Sequence, residues 1–138
     1  MQTVPVTGAL IVTTPQKVAL ADAQKGLQMF RQPQINVPVL GIVENMAWFT
    51  PAELPDNRYY IFGEGGGKAL ADKHEVPLLG QLPLVQSIRE NGDYGTPAIT
   101  QPGTPDAIMF EQLAEELARQ VSIRNAVAPR TQVVEMKS

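Results

Sequence analysis

A chain of 138 residues, 43% hydrophobic and 18% charged, carries enough apolar material for one folded domain with a real core. Its formal net charge of −3 and pI near 5.1 supply no basic footprint for nucleic acid. The absence of cysteine excludes disulfides and thiolate-held metal, and a single histidine, His74, excludes a histidine cluster.

The longest apolar run near the start, GALIV, is too short for a signal h-region or a membrane span. The expected setting is therefore the cytoplasm, with neither nucleic acid nor membrane as partner. Residues 8–13, GALIVT, are continuously apolar and β-branched, which predicts a strand covered on both faces. Thr14 then stands as N-cap and Pro15 as first residue of a helix whose Leu20, Ala23, Leu27 and Phe30 share one buried face.

A second apolar strand, NVPVLGIVEN, ends near Asn45 and is followed by a proline-containing loop, MAWFTPAELPDNRYY. KALADKHEV reads as a short helix and EVPLLGQLP as a third strand. Strands two and three share the pattern Val-Pro-(Val/Leu)-Leu-Gly, with proline where a strand begins. LVQSIREN reads as a short helical segment, and GDYGTPAITQPGTP as turn-rich. Thr104 is placed to cap a long helix with Pro105 and Asp106 in its first turn and a stripe of Ala107, Phe110, Ala114, Leu117 and Val121. From about residue 124 the chain reads as a frayed polar tail. Strands and helices in alternation predict an α/β fold with a parallel sheet.

The stretch IFGEGGGKAL, residues 61–70, raises the question of a phosphate loop. A Walker-type loop needs Gly, four residues, Gly, Lys and then Ser or Thr, so that backbone N–H groups and lysine hold phosphate while the hydroxyl binds magnesium. Gly67-Lys68 fits, but Phe62 stands at the first glycine position and Ala69 at the hydroxyl position. A methyl group cannot ligate magnesium. The dinucleotide pattern fails too, because Lys68 stands where its third glycine belongs. The run is read as a tight turn opening a helix.

Taken in order, GALIVTTPQKVALADAQKGLQMF, VPVLGIVENMAWF, YYIFGEGGGKALA, VPLLGQLPLVQSIRENGDYGTP and the final helix resemble the C-terminal half of the Mrp/ApbC proteins. These are ATPases of the MinD/ParA type with a Rossmann-like P-loop fold, linked to iron–sulfur cluster carriage. The match runs from about Gln2 to about Arg119. It implies a parallel three-layer sheet of P-loop NTPase type, present as a partial domain with about three core strands over 1–123, ahead of a polar tail at 124–138. In that family the phosphate loop and the magnesium-binding aspartate lie upstream. The resemblance therefore implies ATP as ligand, magnesium only in the intact protein, and no ATPase activity from this chain alone.

Within the resemblance, Asn45 matches the asparagine that reads the adenine edge, for which an amide offers both donor and acceptor. A strand-end turn asparagine is the plainer reading of the same residue. Gln81-Leu82-Pro83 matches the segment whose backbone flanks the base, and a proline closing a strand explains it equally well locally. Asp22 matches an acid near the subunit contact of the nucleotide-bound homodimer, although a solvated helix face also accounts for it. Trp48 and Phe49 are expected beneath their loop.

One departure stands out. Many family members hold a cluster with Cys-Pro-x-Cys after the asparagine, where this chain has approximately Pro51 and Leu54 within FTPAELP. Neither supplies a thiolate, which argues against an iron–sulfur cluster here; Glu53 and Asp56 read as solvated loop acids. Two other functions stay open. One is a non-catalytic interaction module that self-associates through an exposed sheet edge. The other is a MinD/ParA-type positioning ATPase, although the tail VVEMKS offers neither a membrane helix nor a basic patch. Iron–sulfur assembly proteins are the partners that the resemblance implies.

Overall fold

The computed structural model describes residues 2–5, 7–85, 105–127 and 133–136. The chain runs through β1 (Gln2–Pro5), β2 (Ala9–Thr13), α1 (Lys17–Phe30), β3 (Val39–Glu44) and β4 (Phe49–Thr50). It continues through α2 (Gly66–Lys73), β5 (Leu78–Gln81), β6 (Leu84–Val85), α3 (Pro105–Val127) and β7 (Val133–Met136). The three apolar runs form one parallel sheet in the order β2-β3-β5, with Val12 beside Val43 and Ile42 beside Leu78. Both predicted strand-opening prolines lie just before their strands. Each uses its carbonyl to start a ladder: Pro38 accepts from Ala9 N–H at 2.8 Å and Pro77 from Ile42 N–H at 2.9 Å. Having no N–H, proline loses nothing at that position.

Helices cover the sheet on both faces, which makes three layers. On one face Ile11 and Ile42 pack with Ala23 and Leu27 of α1 and with Leu70 and Ala71 of α2. On the other, Val43, Leu79 and Leu82 pack against Met109, Phe110, Leu113 and Leu117 of α3. The α1 stripe is as expected, with Leu27 wholly buried and Leu20 and Phe30 packed at its margin.

Several local expectations are corrected. Helix α1 starts at Lys17 with Gln16 in the cap position, because Thr14 Oγ1 turns to Gln16 Oε1 at 3.3 Å instead of to the helix N–H groups. The α3 stripe is broader than expected: Ala107 is buried and Phe110 and Leu117 pack against the sheet as read, Met109 and Leu113 join them, and only Ala114 of the expected stripe is exposed. Among the described residues, strand β2 is covered on one face only. Ile11 is 7% exposed, whereas Val12 is 59% exposed, because β2 lies at the edge of the described three-stranded sheet and α3 lies over β3 and β5.

Leu84–Val85, expected in a helical segment, instead form β6, and the remainder of LVQSIREN lies outside the described residues, as do GDYGTPAITQPGTP and the Thr104 cap. Helix α3 continues to Val127, past the start of the expected tail, and Val133–Met136 pairs antiparallel with Gln2–Pro5. No helix among the described residues is long and apolar enough to cross a membrane.

Candidate functional site

The carboxyl ends of the three parallel strands converge on one edge, where open α/β sheets bind ligands. Thr13, Glu44-Asn45 and Gln81-Leu82 end β2, β3 and β5 respectively. Asn45 N–H donates to Thr13 O at 2.7 Å, and Leu82 N–H donates to Glu44 O at 2.8 Å. Beyond the strands the two chain segments stay paired: Ala47 N–H donates to Leu82 O at 2.9 Å and Leu84 N–H to Trp48 O at 2.7 Å. Phe49 and Thr50 then run parallel to Leu84 and Val85. Asn45, Leu82 and Pro83, proposed from distant parts of the sequence, are thus brought to neighbouring strand ends.

Their environments differ. Asn45 is half-buried, and its Oδ1 accepts from Met46 N–H at 2.9 Å, a local turn that accompanies the positive φ of 54° at Met46. Its Nδ2 has no hydrogen-bond partner among the described residues. Leu82 is buried, with both backbone groups occupied, so its side chain serves the core beneath α3. Pro83 is also buried.

The glycine run explains itself through a residue the sequence reading passed over. Glu44 is 1% exposed, and its two carboxylate oxygens are both bound: Oε2 accepts from Gly67 N–H at 2.6 Å and Oε1 from Gln81 Nε2 at 2.9 Å. Gly67 lies in the first turn of α2, where unsatisfied N–H groups and the helix dipole favour negative charge. Any Cβ on Gly67 would stand 2.6 Å from Glu44 Oε2. Upstream, Gly63 and Gly65 adopt φ of 112° and 78°, conformations open to glycine. The helix N-terminus therefore does bind an anion, and that anion is the protein's own carboxylate. The signal available in the sequence was a single acid closing an otherwise apolar strand.

Lys68, which a phosphate loop would aim at its ligand, pairs with Asp72 at 3.0 Å on the exposed side of α2. This agrees with the reading of the run as a turn. Asp22 is exposed on α1, and Trp48 is half-buried with the Arg58 guanidinium 4.0 Å over its ring. Pro51 is half-buried, while Glu53, Leu54 and Asp56 are exposed. Among the described residues no group of three His, Cys, Asp or Glu side chains could hold a metal ion. With no thiolate in the chain, this donor set does not fit an iron–sulfur cluster.

At the strand-start end, Arg31 Nη2 donates to His74 O at 2.8 Å, and His74 Nε2 is buried without a hydrogen-bond partner. Burial, then the charges of Arg31 and Lys73, hold the His74 imidazole below its ordinary pKa of 6.5.

Over residues 1–118 the chain matches the family described as ParA: NUBPL iron-transfer P-loop NTPase. The chain belongs to that family. Its relatives include the iron-sulfur cluster carrier protein of Synechocystis, 49% identical over 88% of this chain and 34% of that protein. The iron-sulfur cluster carrier protein of Escherichia coli K12 is 46% identical over 93% of this chain and 34% of its own length. The iron-sulfur cluster transfer protein NUBPL of Dictyostelium discoideum is 42% identical over 90% and 38%. The chain thus spans about a third of the length of these relatives.

Solved structures of the same fold include the cell division ATPase MinD of Pyrococcus furiosus, with TM-score 0.59 and 30% identity over 82% of this chain and 43% of that one. A nucleotide-binding protein from Archaeoglobus fulgidus in complex with ADP gives TM-score 0.58 and 34% identity over 75% and 40%. The P-loop NTPase fold class and the Mrp-type resemblance read from the sequence are thereby established for this family member.

Proposed function

We propose that this chain forms the adenine side of the nucleotide site of an Mrp/NUBPL-type ATP-binding protein acting in iron–sulfur cluster carriage. Asn45 reads the base edge, and the Leu82–Pro83 segment flanks it. The observation that carries this reading is the seating of Asn45 at the carboxyl end of β3, beside the Leu82–Pro83 strand end, with Nδ2 left available as a donor. An amide so placed offers the donor and acceptor an adenine edge requires. The likeness to an ADP-bound nucleotide-binding protein supports the same reading.

The 138 residues contain no Gly-x4-Gly-Lys-(Ser/Thr) sequence, so phosphate and magnesium contacts come in this proposal from sequence outside them, and the chain by itself does not hydrolyse ATP. Because it brings no thiolate, any cluster handled by the protein is ligated from elsewhere. A homodimer in the cytoplasm, working with iron–sulfur assembly proteins, completes the proposal.

The test is calorimetric titration of magnesium-ATP into the protein translated from the whole reading frame, comparing wild type with Asn45→Ala. The expected result is a loss of affinity on the order of tenfold, the worth of a good polar contact to a base. Unchanged affinity would overturn the assignment and favour a second reading. In that reading the chain is an interaction module, and its carrying observation is the uncovered apolar face of β2, where Leu10 and Val12 are 36% and 59% exposed.

A further inference from the structure

We infer that Glu44 is a positioning residue for the base site, a clamp that holds the ends of β3 and β5 in register by binding the N-terminus of α2. The inference rests on the adenine-side reading above and adds to it a residue that makes no contact with nucleotide.

Three bonds meet at this one residue. Its backbone carbonyl accepts Leu82 N–H at 2.8 Å, its Oε1 accepts Gln81 Nε2 at 2.9 Å, and its Oε2 accepts Gly67 N–H at 2.6 Å. Two of the residues so joined border proposed base contacts: Glu44 precedes Asn45, and Gln81 precedes Leu82 and Pro83. A carboxylate 1% exposed is costly to bury, and an apolar side chain would fill the same space more cheaply for stability alone. What a carboxylate does that an apolar group cannot is accept from two donors in fixed directions at once. Gly67 is shaped to it, since a methyl group there would displace the oxygen. The clamp ties the exposed glycine turn to both strand ends, so the placement of Asn45 depends on a contact made by α2.

Positioning is separable from simple fold support by the choice of variants. Glu44→Gln retains a carbonyl oxygen for Gly67 N–H, and its amide donates to Gln81 Oε1 once the Gln81 amide turns over. Glu44→Ala removes both bonds. Gln81→Ala removes only the Oε1 bond, at an exposed residue whose loss leaves no cavity.

In the protein from the whole reading frame, ATP, GTP and tripolyphosphate affinities are measured for these three variants and for Asn45→Ala, and Gly67 amide exchange is followed in parallel. The expectation is that Glu44→Ala and Gln81→Ala lower ATP affinity by on the order of tenfold and about threefold respectively. Both are expected to reduce the ATP-to-GTP ratio and to leave tripolyphosphate binding unchanged. Glu44→Gln is expected to restore both the ratio and slow Gly67 exchange. If Glu44→Ala does not fold, Gln81→Ala and the Glu44→Gln rescue carry the test.

Wild-type ATP-to-GTP ratios in Gln81→Ala and in whichever Glu44 variants fold, while Asn45→Ala abolishes discrimination, would overturn the clamp and leave the base-site reading intact. Insensitivity of Asn45→Ala itself would remove the reading and the clamp's purpose together.

Discussion

Gly67 donates its backbone N–H to Glu44 Oε2 at 2.6 Å, across 23 residues of sequence and in the interior of the protein. A helix N-terminus behind a glycine-rich turn has the electrostatic make-up of an anion site. Here that capacity is spent on a side chain, in a run that resembles a phosphate loop in composition but departs from it at Phe62 and Ala69.

This contact makes the glycines unequal. Gly67→Ala would place a methyl group 2.6 Å from the buried Glu44 oxygen, and overpacking of that kind costs about 1–3 kcal/mol. Gly26, within α1, has nothing within 4 Å of an added Cβ, so Gly26→Ala is expected to stabilise by about 0.5–1 kcal/mol. Urea midpoints of the two variants should shift in opposite directions. A neutral Gly67→Ala would mean that the carboxylate does not sit against the turn.

Stability should depend on pH through His74. Burial, Arg31 and Lys73 depress its folded pKa below 6.5, so the folded state prefers the neutral ring and the unfolded chain binds more protons between the two values. No penalty exists well above pH 6.5; stability is lost as pH falls from 6.5 toward the folded pKa. Glu116, held below its ordinary value of 4.5 first by its hydrogen bond from Arg119 and then by that from Gln120, adds a separate loss only at lower pH. Urea midpoints measured from pH 8 to pH 5 should fall for wild type and flatten in that window for His74→Gln. Parallel curves would show that the imidazole titrates equally in both states.

The open face of β2 should drive self-association. Val12 is 59% exposed in an edge strand, with Leu10 beside it on the same face. Light scattering of the 138-residue chain should show mass rising with concentration, and Val12→Lys should suppress the rise while changing folding stability by no more than about 0.5 kcal/mol. A wild-type chain that stays monomeric at high concentration would count against association through this face.

Much of the architecture was legible locally. Apolar runs marked the three parallel strands, the Leu20-Ala23-Leu27-Phe30 spacing marked the buried face of α1, and ordered motifs marked the family. Strand-opening prolines were legible for the same reason: a missing N–H is a property of the residue itself.

Three features were settled only by tertiary contact. Met109 and Leu113 widen the covered face of α3 beside Phe110 and Leu117, while Ala114 is left exposed, because the sheet beneath, not the helical period alone, decides which side chains are covered. Val12 is exposed although its sequence is that of a buried strand, because coverage depends on which neighbour lies above it. Glu44, Gly67 and Gln81 are far apart in sequence, and nothing in their spacing announces a clamp. Short-range order follows from each residue's own backbone and polarity, whereas a buried charge gains its meaning from whichever distant donors the fold carries to it.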